Sequence, residues 1–392
     1  MVIKLNGGLG TSMGMTGPKS LVEVKDGLTF LDVAARQALE LRRRTGARLP
    51  LVLMNSFYTR EESLAALDRV AGIEADVPLD FVQGRFPKLL ADSLCPVDWP
   101  PDRELEWAPP GHGDLYTSIA TSGMLGRLLG AGYRYAIVSN VDNLGATLDE
   151  RILAWFAGER LPFLMEVAAR TESDRKGGHI ARRRATGRLL LREIAQTPEE
   201  DMDAFTAIGR HRFFNTNTLW VNLPALADSL RGSDGVLGLP LIANRKTVDP
   251  SDPSSPAVIQ IETAMGAAIE VFEGAAALHV SRRRFAPVKT TDQLLALRSD
   301  AYLVTEGGHV ELAPDRGDVP PVVELDPSHF RLIRDFEARF PHGAPSLRGC
   351  ERLEVAGDVR FGAGVVVRGS VRVENTGADQ VVIEDGAVLE DR

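Results

Sequence analysis

Cysteine and lysine are the scarce residues of this 392-residue chain. Its two cysteines, Cys95 and Cys350, lie far apart. They cannot by themselves make a disulfide framework or a zinc site, which points to a reduced, cytoplasmic protein. No apolar run approaches the ~18 residues a membrane span needs, and the opening MVIKLNGG reaches glycine too soon for a signal peptide. A formal net charge of −9 without a long basic run argues against a nucleic-acid binder. Of 45 basic residues only 7 are lysine (Lys4, Lys19, Lys25, Lys88, Lys176, Lys246 and Lys289), so each is worth locating. The length that remains suits two or three domains and a core that folds without staples.

Apolar periodicity predicts strands alternating with helices. Val2–Leu5, Pro50–Met54, Phe81–Val82, Tyr135–Val138, Phe163–Val167 and Thr218–Val221 read as strands. Thr29 and Asp32 spell a capping box before a helical face of Leu31, Ala34, Ala35, Ala38 and Leu41, and Thr59 with Glu62 suggests a second, leading Leu64, Leu67 and Val70. This alternation predicts an α/β domain with a mainly parallel sheet.

Near residue 300 the composition changes. Pro314–Pro327 reads as a connection, and Phe330, Ile333, Phe336 and Phe340 as one amphipathic helix. After Pro345 a period of six sets in: Leu353, Val359, Val365 and Val371 form one series, Val355, Phe361, Val367 and Val373 another. The period breaks at Asn375–Gln380, then resumes with Val381 and Ala387, Ile383 and Leu389. Hexads fit a small parallel β-helix, the alternative being a β-meander. Such a coil leaves an open end and edges for homo-oligomer contact. The expected organisation is residues 1–300, a connecting segment 301–345 and the repeat 346–392.

Asn6–Ser20 (NGGLGTSMGMTGPKS) is the richest stretch. It follows a strand, where α/β sheets bind ligands, and its glycines let backbone N–H groups approach a phosphate or base. The spacing of Gly8, Gly10 and Gly14 is not G-x-G-x-x-G, and Pro18 breaks a Walker end. A plain flexible turn is the other reading of so many glycines before a rigid Pro-Lys. Asp142, just past a strand, is a candidate for holding a cation against phosphate, or else for a helix N-cap or an Asx turn. Trp107 and Trp220 could stack on a sugar, or pack in the core.

Lys4–Ser20 (KLNGGLGTSMGMTGPKS) resembles the signature loop of the eukaryotic-type UTP–glucose-1-phosphate uridylyltransferase family. Further blocks follow in the family's order: Asn55-Ser56-Phe57, Pro109–Tyr116 (PPGHGDLY), Asn140–Ala146 (NVDNLGA), Lys176-Gly177-Gly178, Glu193–Gln196 (EIAQ), Phe214–Trp220 (FNTNTLW), Ile261–Ile269 (IETAMGAAI), Arg284–Thr291 (RFAPVKTT) and Asp335–Phe340 (DFEARF), then Pro345-Ser346-Leu347 and the hexads. The chain departs from the pattern at Met15-Thr16, where the family usually has Cys-Lys, at Pro87-Lys88, where it has Pro-Arg, and at His179, often Thr.

The resemblance implies a Rossmann-like, GT-A-like nucleotidyltransferase fold with a C-terminal left-handed β-helix. It implies conversion of UTP and glucose 1-phosphate to UDP-glucose and pyrophosphate with Mg²⁺. Carried over residue by residue, it makes Lys19 and Lys289 catalytic, and gives the nucleotide Leu5, Asn6, Gly7, Gly8, Lys19, Gln83 and Gly111. The sugar phosphate takes His112, Asn140, Glu193, Asn215 and Asn217; Asp142 takes the metal. Lysine would thus persist where a compact ammonium meets phosphate. Competing readings are a pyrophosphorylase for another hexose or N-acetylhexosamine 1-phosphate, and a nucleotide-sugar-binding protein without turnover.

Overall fold

Val2–Asn6 (β1) is buried along nearly its whole length because it runs through the middle of a nine-stranded sheet. The computed structural model describes all residues except Ser251, Asp318 and Arg392. In chain order the other strands of this sheet are β2 (Leu51–Asn55), β3 (Asp80–Val82), β4 (Tyr135–Asn140), β5 (Phe163–Ala169), β6 (His179–Arg182), β7 (Leu189–Arg192), β8 (Phe213–Asn222) and β9 (Ala276–His279). Their spatial order is β7-β6-β8-β4-β1-β2-β3, with β5 on β8 and β9 on β5. All but β7 and β8 point the same way, so the sheet is mixed but mainly parallel.

The faces follow from side-chain alternation. Leu51 and Leu53 pack with Leu31, Ala35, Ala38, Phe156 and Trp220 on one side, while Val52 and Met54 join Ile3, Phe81, Ile119 and Phe163 on the other. Covering both faces makes β2 a continuous apolar run. The helix Phe30–Thr45 has its capping box: Asp32 N–H donates to Thr29 Oγ1 at 3.1 Å, and Thr29 N–H to Asp32 Oδ2 at 2.9 Å.

Several expectations need correction. The helix Arg60–Leu67 lacks a side-chain cap, because the Thr59 hydroxyl instead accepts the Ser56 N–H at 3.0 Å. Val70 lies beyond that helix. Phe330–Phe340 holds two short helices, Pro327–Phe330 and Ile333–Arg339. Within the proline-rich connection, Val322–Leu325 is a strand that pairs in parallel with Ser346–Ala356.

Beyond it the hexads become parallel ladders. Leu353 lies opposite Val371 and Val355 opposite Val373, three hexads on. The next partners, Val359 with Val381 and Val366 with Val388, absorb the interruption at Asn375–Gln380. Leu353, Val355, Val359, Phe361, Val365 and Val367 are buried. Their apolar cluster continues through Phe330, Phe336 and Phe340 to Met13 of the glycine loop, so the C-terminal segment buttresses that loop.

At the centre of the sheet Glu166 is fully buried. It accepts hydrogen bonds from Arg284 Nε at 2.7 Å, Arg284 Nη2 at 2.6 Å and Trp220 Nε1 at 2.9 Å. Removing one partner of a buried pair strands the other charge, so Glu166→Ala should cost about 3–5 kcal/mol in urea unfolding. A loss under about 1 kcal/mol would mean that solvent reaches Arg284 and the pair carries little.

Candidate active site

The glycine loop leaves the carboxyl end of β1 between β2 and β4. The Asn6 side chain is not free for a ligand: its amide donates to Asn55 Oδ1 and Ser63 Oγ, both at 2.7 Å, tying β1 to its neighbours. Leu5 lies opposite Asn140 in the β1–β4 register. A Cβ on Gly7 would stand 2.7 Å from Gln83 Nε2, so glycine there lets the Gln83 amide lie against the chain. Gln83 is held by its N–H to Asn55 O at 2.8 Å, while the space in front of Gly8 is open. The loop folds back through Lys19 N–H to Gly8 O at 3.1 Å, which returns the Lys19 ammonium to an ion pair with Asp142 Oδ2.

Asp142 sits just past β4 and also anchors the segment carrying Lys289, since its carbonyl accepts the Val288 N–H at 3.2 Å. Asn143, missed in the sequence, does the same work: its Oδ1 accepts the Ala286 N–H at 2.9 Å. The other carboxylate oxygen, Asp142 Oδ1, is buried with no hydrogen-bond partner. A spare hard oxygen there fits a Mg²⁺ ion that would complete its shell with water and phosphate. Among the described residues no three His, Cys, Asp or Glu side chains gather into an all-protein cage.

Gly111 and His112 form a turn packed against Thr263 and Met265. Gly111 has φ +76°, and a Cβ there would meet Thr263 O at 2.6 Å. His112 Nδ1 accepts the Met265 N–H at 2.9 Å, so the ring's proton sits on Nε2. Burial, and secondarily the charge of Lys289, pull the His112 pKa from 6.5 down to about 4, making the ring a neutral donor. Asp114 is a second residue missed in the sequence: it accepts the Gly84 N–H at 2.6 Å and so joins this turn to Gln83's loop.

Asn140, Glu193, Asn215, Asn217 and Lys289 line one cleft of about 790 Å³. A bulge makes this possible. Glu166 on β5 faces Thr218, but Val167 faces Asn215, leaving Thr216 and Asn217 as extra residues in β8. Asn217 takes a left-handed φ of +55°, a conformation asparagine tolerates. Asn215 and Asn217 then lock together, Nδ2 to Oδ1 at 2.8 Å. Burial raises the Glu193 pKa, with Lys289 opposing. The ammonium of Lys289 therefore acts on both His112 and Glu193 across the cleft.

Lys4 and Lys88 correct the expectation that the lysines kept in or beside motifs mark phosphate contacts, and Lys25, which no motif marks, has the same kind of partner. Lys4 is buried under the sheet, donating to Ser139 Oγ at 2.9 Å and Ala146 O at 3.0 Å, and burial lowers its pKa to about 8. Lys88 donates to Val248 O at 2.8 Å and Lys25 to Ser299 O at 2.6 Å. These three cap carbonyls. Trp220 is core, and Trp107 is half-buried with Arg85 4.7 Å above its ring.

A glycine loop, a lysine–carboxylate pair and a polar cleft at the carboxyl ends of parallel strands define an α/β enzyme that handles phosphate esters. The family model described as UTP–glucose-1-phosphate uridylyltransferase matches residues 1–368. The uridylyltransferase of Solanum tuberosum is 40% identical over 99% of this chain and 80% of its own length; the probable one of Schizosaccharomyces pombe is 40% identical over 99% and 76%. A mutant UDP-glucose pyrophosphorylase from Leishmania major, solved in complex with UDP-glucose, superposes with a TM-score of 0.94 at 48% identity, covering 100% of this chain and 85% of that one. A Trypanosoma brucei structure described as a UDP-glucose phosphorylase gives 0.92 at 49%, covering 100% and 84%. The chain belongs to the UTP–glucose-1-phosphate uridylyltransferase family.

The two depressed histidines carry a pH signature. His112 is lowered to about 4, and His179 to about 3 by burial and then by His211, Arg170 and Arg192. Unfolded, both bind protons from about pH 6.5 downward; folded, they do not, so the unfolded state gains protons first. Stability should therefore fall as pH drops from about 6.5 to 5, above the main carboxylate range, and be insensitive to these rings above 7. Urea midpoints across that window check the sign; a flat profile would mean the rings titrate normally.

Proposed function

We propose that this chain makes UDP-glucose and pyrophosphate from UTP and glucose 1-phosphate. The observation that carries the reading is the junction at Asp142, where the Lys19 loop and the Lys289 segment meet beside a cleft of neutral and acidic polar groups. A phosphate oxygen of the sugar phosphate attacks the α-phosphorus of UTP in line. The bond from that phosphorus to the bridging oxygen breaks, and pyrophosphate leaves with the electron pair. The attacking oxygen is already ionised at neutral pH, so no general base is needed. The demand is positioning and charge neutralisation.

In this reading Leu5–Gly8 hold uridine through their backbone, and the Gln83 amide pairs with the uracil edge, donating and accepting at once. Gly111 lets the chain approach the nucleotide. Lys19 leaves Asp142 for the β- and γ-phosphates and stays with the departing pyrophosphate. Lys289 neutralises charge at the reacting phosphates, and His112 donates Nε2–H to the sugar phosphate. Asn140, Glu193, Asn215 and Asn217 take the sugar hydroxyls. Asp142 would hold Mg²⁺, which supplies charge neutralisation across the phosphates.

The C-terminal ladders fit a left-handed β-helix forming a unit over 346–392, joined by 301–345 to the catalytic unit 1–300, and the exposed Val381, Val382 and Val388 suit contact with a second copy. Light scattering would distinguish a monomer from that assembly. A reduced cytoplasmic setting accords with free Cys95 and Cys350.

Pyrophosphate release that requires UTP, glucose 1-phosphate and Mg²⁺ together tests the reaction. A preference for an N-acetylhexosamine 1-phosphate, or binding of UDP-glucose without release, would replace this reading. Lys289→Ala should cost ~10²–10³ in kcat, the scale of one lost charge-stabilising donor; near-normal turnover would remove Lys289 from the mechanism. Asp142→Asn should weaken Mn²⁺ binding in the presence of UTP, read by electron paramagnetic resonance, at least about tenfold, a loss that even outer-shell partners produce. Unchanged Mn²⁺ affinity would move the metal elsewhere.

A further inference from the structure

Arg170 lies outside the cleft, at the end of β5, and is 6% exposed. Its fork closes on carbonyls. Nη1 donates to Phe205 O at 3.1 Å and His211 O at 3.2 Å; Nη2 donates to Asp174 O at 3.3 Å and Arg175 O at 2.6 Å. Its backbone N–H adds Arg212 O at 2.9 Å. The 174–175 turn, the end of the short helix at Phe205 and the approach to β8 at His211 are thereby drawn to one point. Burying a guanidinium is costly, and only a planar group with five donors reaches this many acceptors at once.

The carbonyls it gathers begin one wall of the cleft. After Asp174 and Arg175 come Lys176, Gly177 and Gly178, which line it. Gly178 O accepts the Asn215 N–H at 2.9 Å, and a Cβ on Gly178 would stand 2.5 Å from both Glu193 carboxylate oxygens. The Gly178 backbone is thus the surface against which Glu193 and Asn215 are set. Neither Lys19, Gln83 nor Asp142 shares a hydrogen bond with Arg170 among the described residues.

We infer that Arg170 is a positioning residue for the sugar-phosphate half of the site: by capping the 174–175 carbonyls it fixes the Lys176–Gly178 wall, and with it Glu193 and Asn215. This rests on the reading that Glu193 and Asn215 face the sugar. It makes the two substrates separable, because the nucleotide half is built on β1, β3 and β4 without this arginine.

Arg170→Lys keeps the charge and loses the fork, and Arg170→Gln removes both. For each, kcat/KM for glucose 1-phosphate should fall ~10- to 100-fold, the scale of an ångström-sized misplacement. UTP affinity, measured calorimetrically on the same preparations, should stay within about twofold of the parent, which also certifies folding. Hydrogen exchange at residues 174–178 and at the Asn215 amide should quicken in both variants. Equal losses for UTP and glucose 1-phosphate would make Arg170 a general structural residue and overturn the inference, as would unchanged exchange at 174–178. Glu193→Gln in the same assay separates the premise. If it shifts glucose 1-phosphate while the Arg170 variants do not, the positioning role falls. If Glu193→Gln leaves that substrate unmoved, the sugar assignment itself falls.

Discussion

The ion pair between Lys19 and Asp142 joins two segments 123 residues apart in the chain. One is the end of the glycine loop, the other the turn beyond β4, and the pair sits at the carboxyl ends of adjacent parallel strands. Both side chains are largely shielded from water, which lessens screening by salt. The Asp142 carbonyl also fixes the strand-like approach to Lys289. One residue therefore spaces the two lysines that the proposed mechanism sets beside two polyanions. A chain with net charge −9 must concentrate positive charge locally to do that work.

Around this junction the remaining groups are mostly neutral donors or backbone. His112 is held neutral by burial and by the charge of Lys289, and the Met265 N–H fixes its tautomer. Asn215 and Asn217 satisfy each other as well as facing the cleft. Such an arrangement needs little reorganisation when charge moves from one phosphoanhydride to another, which is the electrostatic economy expected of phosphoryl and nucleotidyl transfer. Stability is lodged elsewhere, in the two apolar faces of the sheet and the buried Glu166–Arg284–Trp220 set.

Much of this was legible in the order of residues. The capping box at Thr29, the apolar run of β2 and the hexads all report local periodicities that tertiary context does not reverse. The glycine loop was legible because glycines before Pro-Lys restrict what the chain can approach. The lysines were less so. Lys4 stands inside the most specific motif and yet caps Ser139 and Ala146 from within the sheet, because its strand alternation sends it inward. Thr59 had the spacing of a cap but spends its hydroxyl on Ser56. Asn143 and Asp114 lay inside quoted motifs without a role, since what they hold, Ala286 and Gly84, is distant or backbone.

By itself the sequence determined the α/β alternation, the hexad period and the glycine loop, because each depends on neighbours within a turn or strand; the groups expected at phosphate came from the family resemblance. Tertiary structure decided which of those groups meet. The bulge that turns Asn217 in β8 depends on its pairing with β5. The neutral state of His112 depends on burial by residues far along the chain. Arg170, which no motif marks, acquires its place only when the ends of β5, the 174–178 turn and the 205–212 segment come together. Hydrogen bonds to carbonyls leave no pattern in side chains, and that is why the wall of the cleft had to be seen folded.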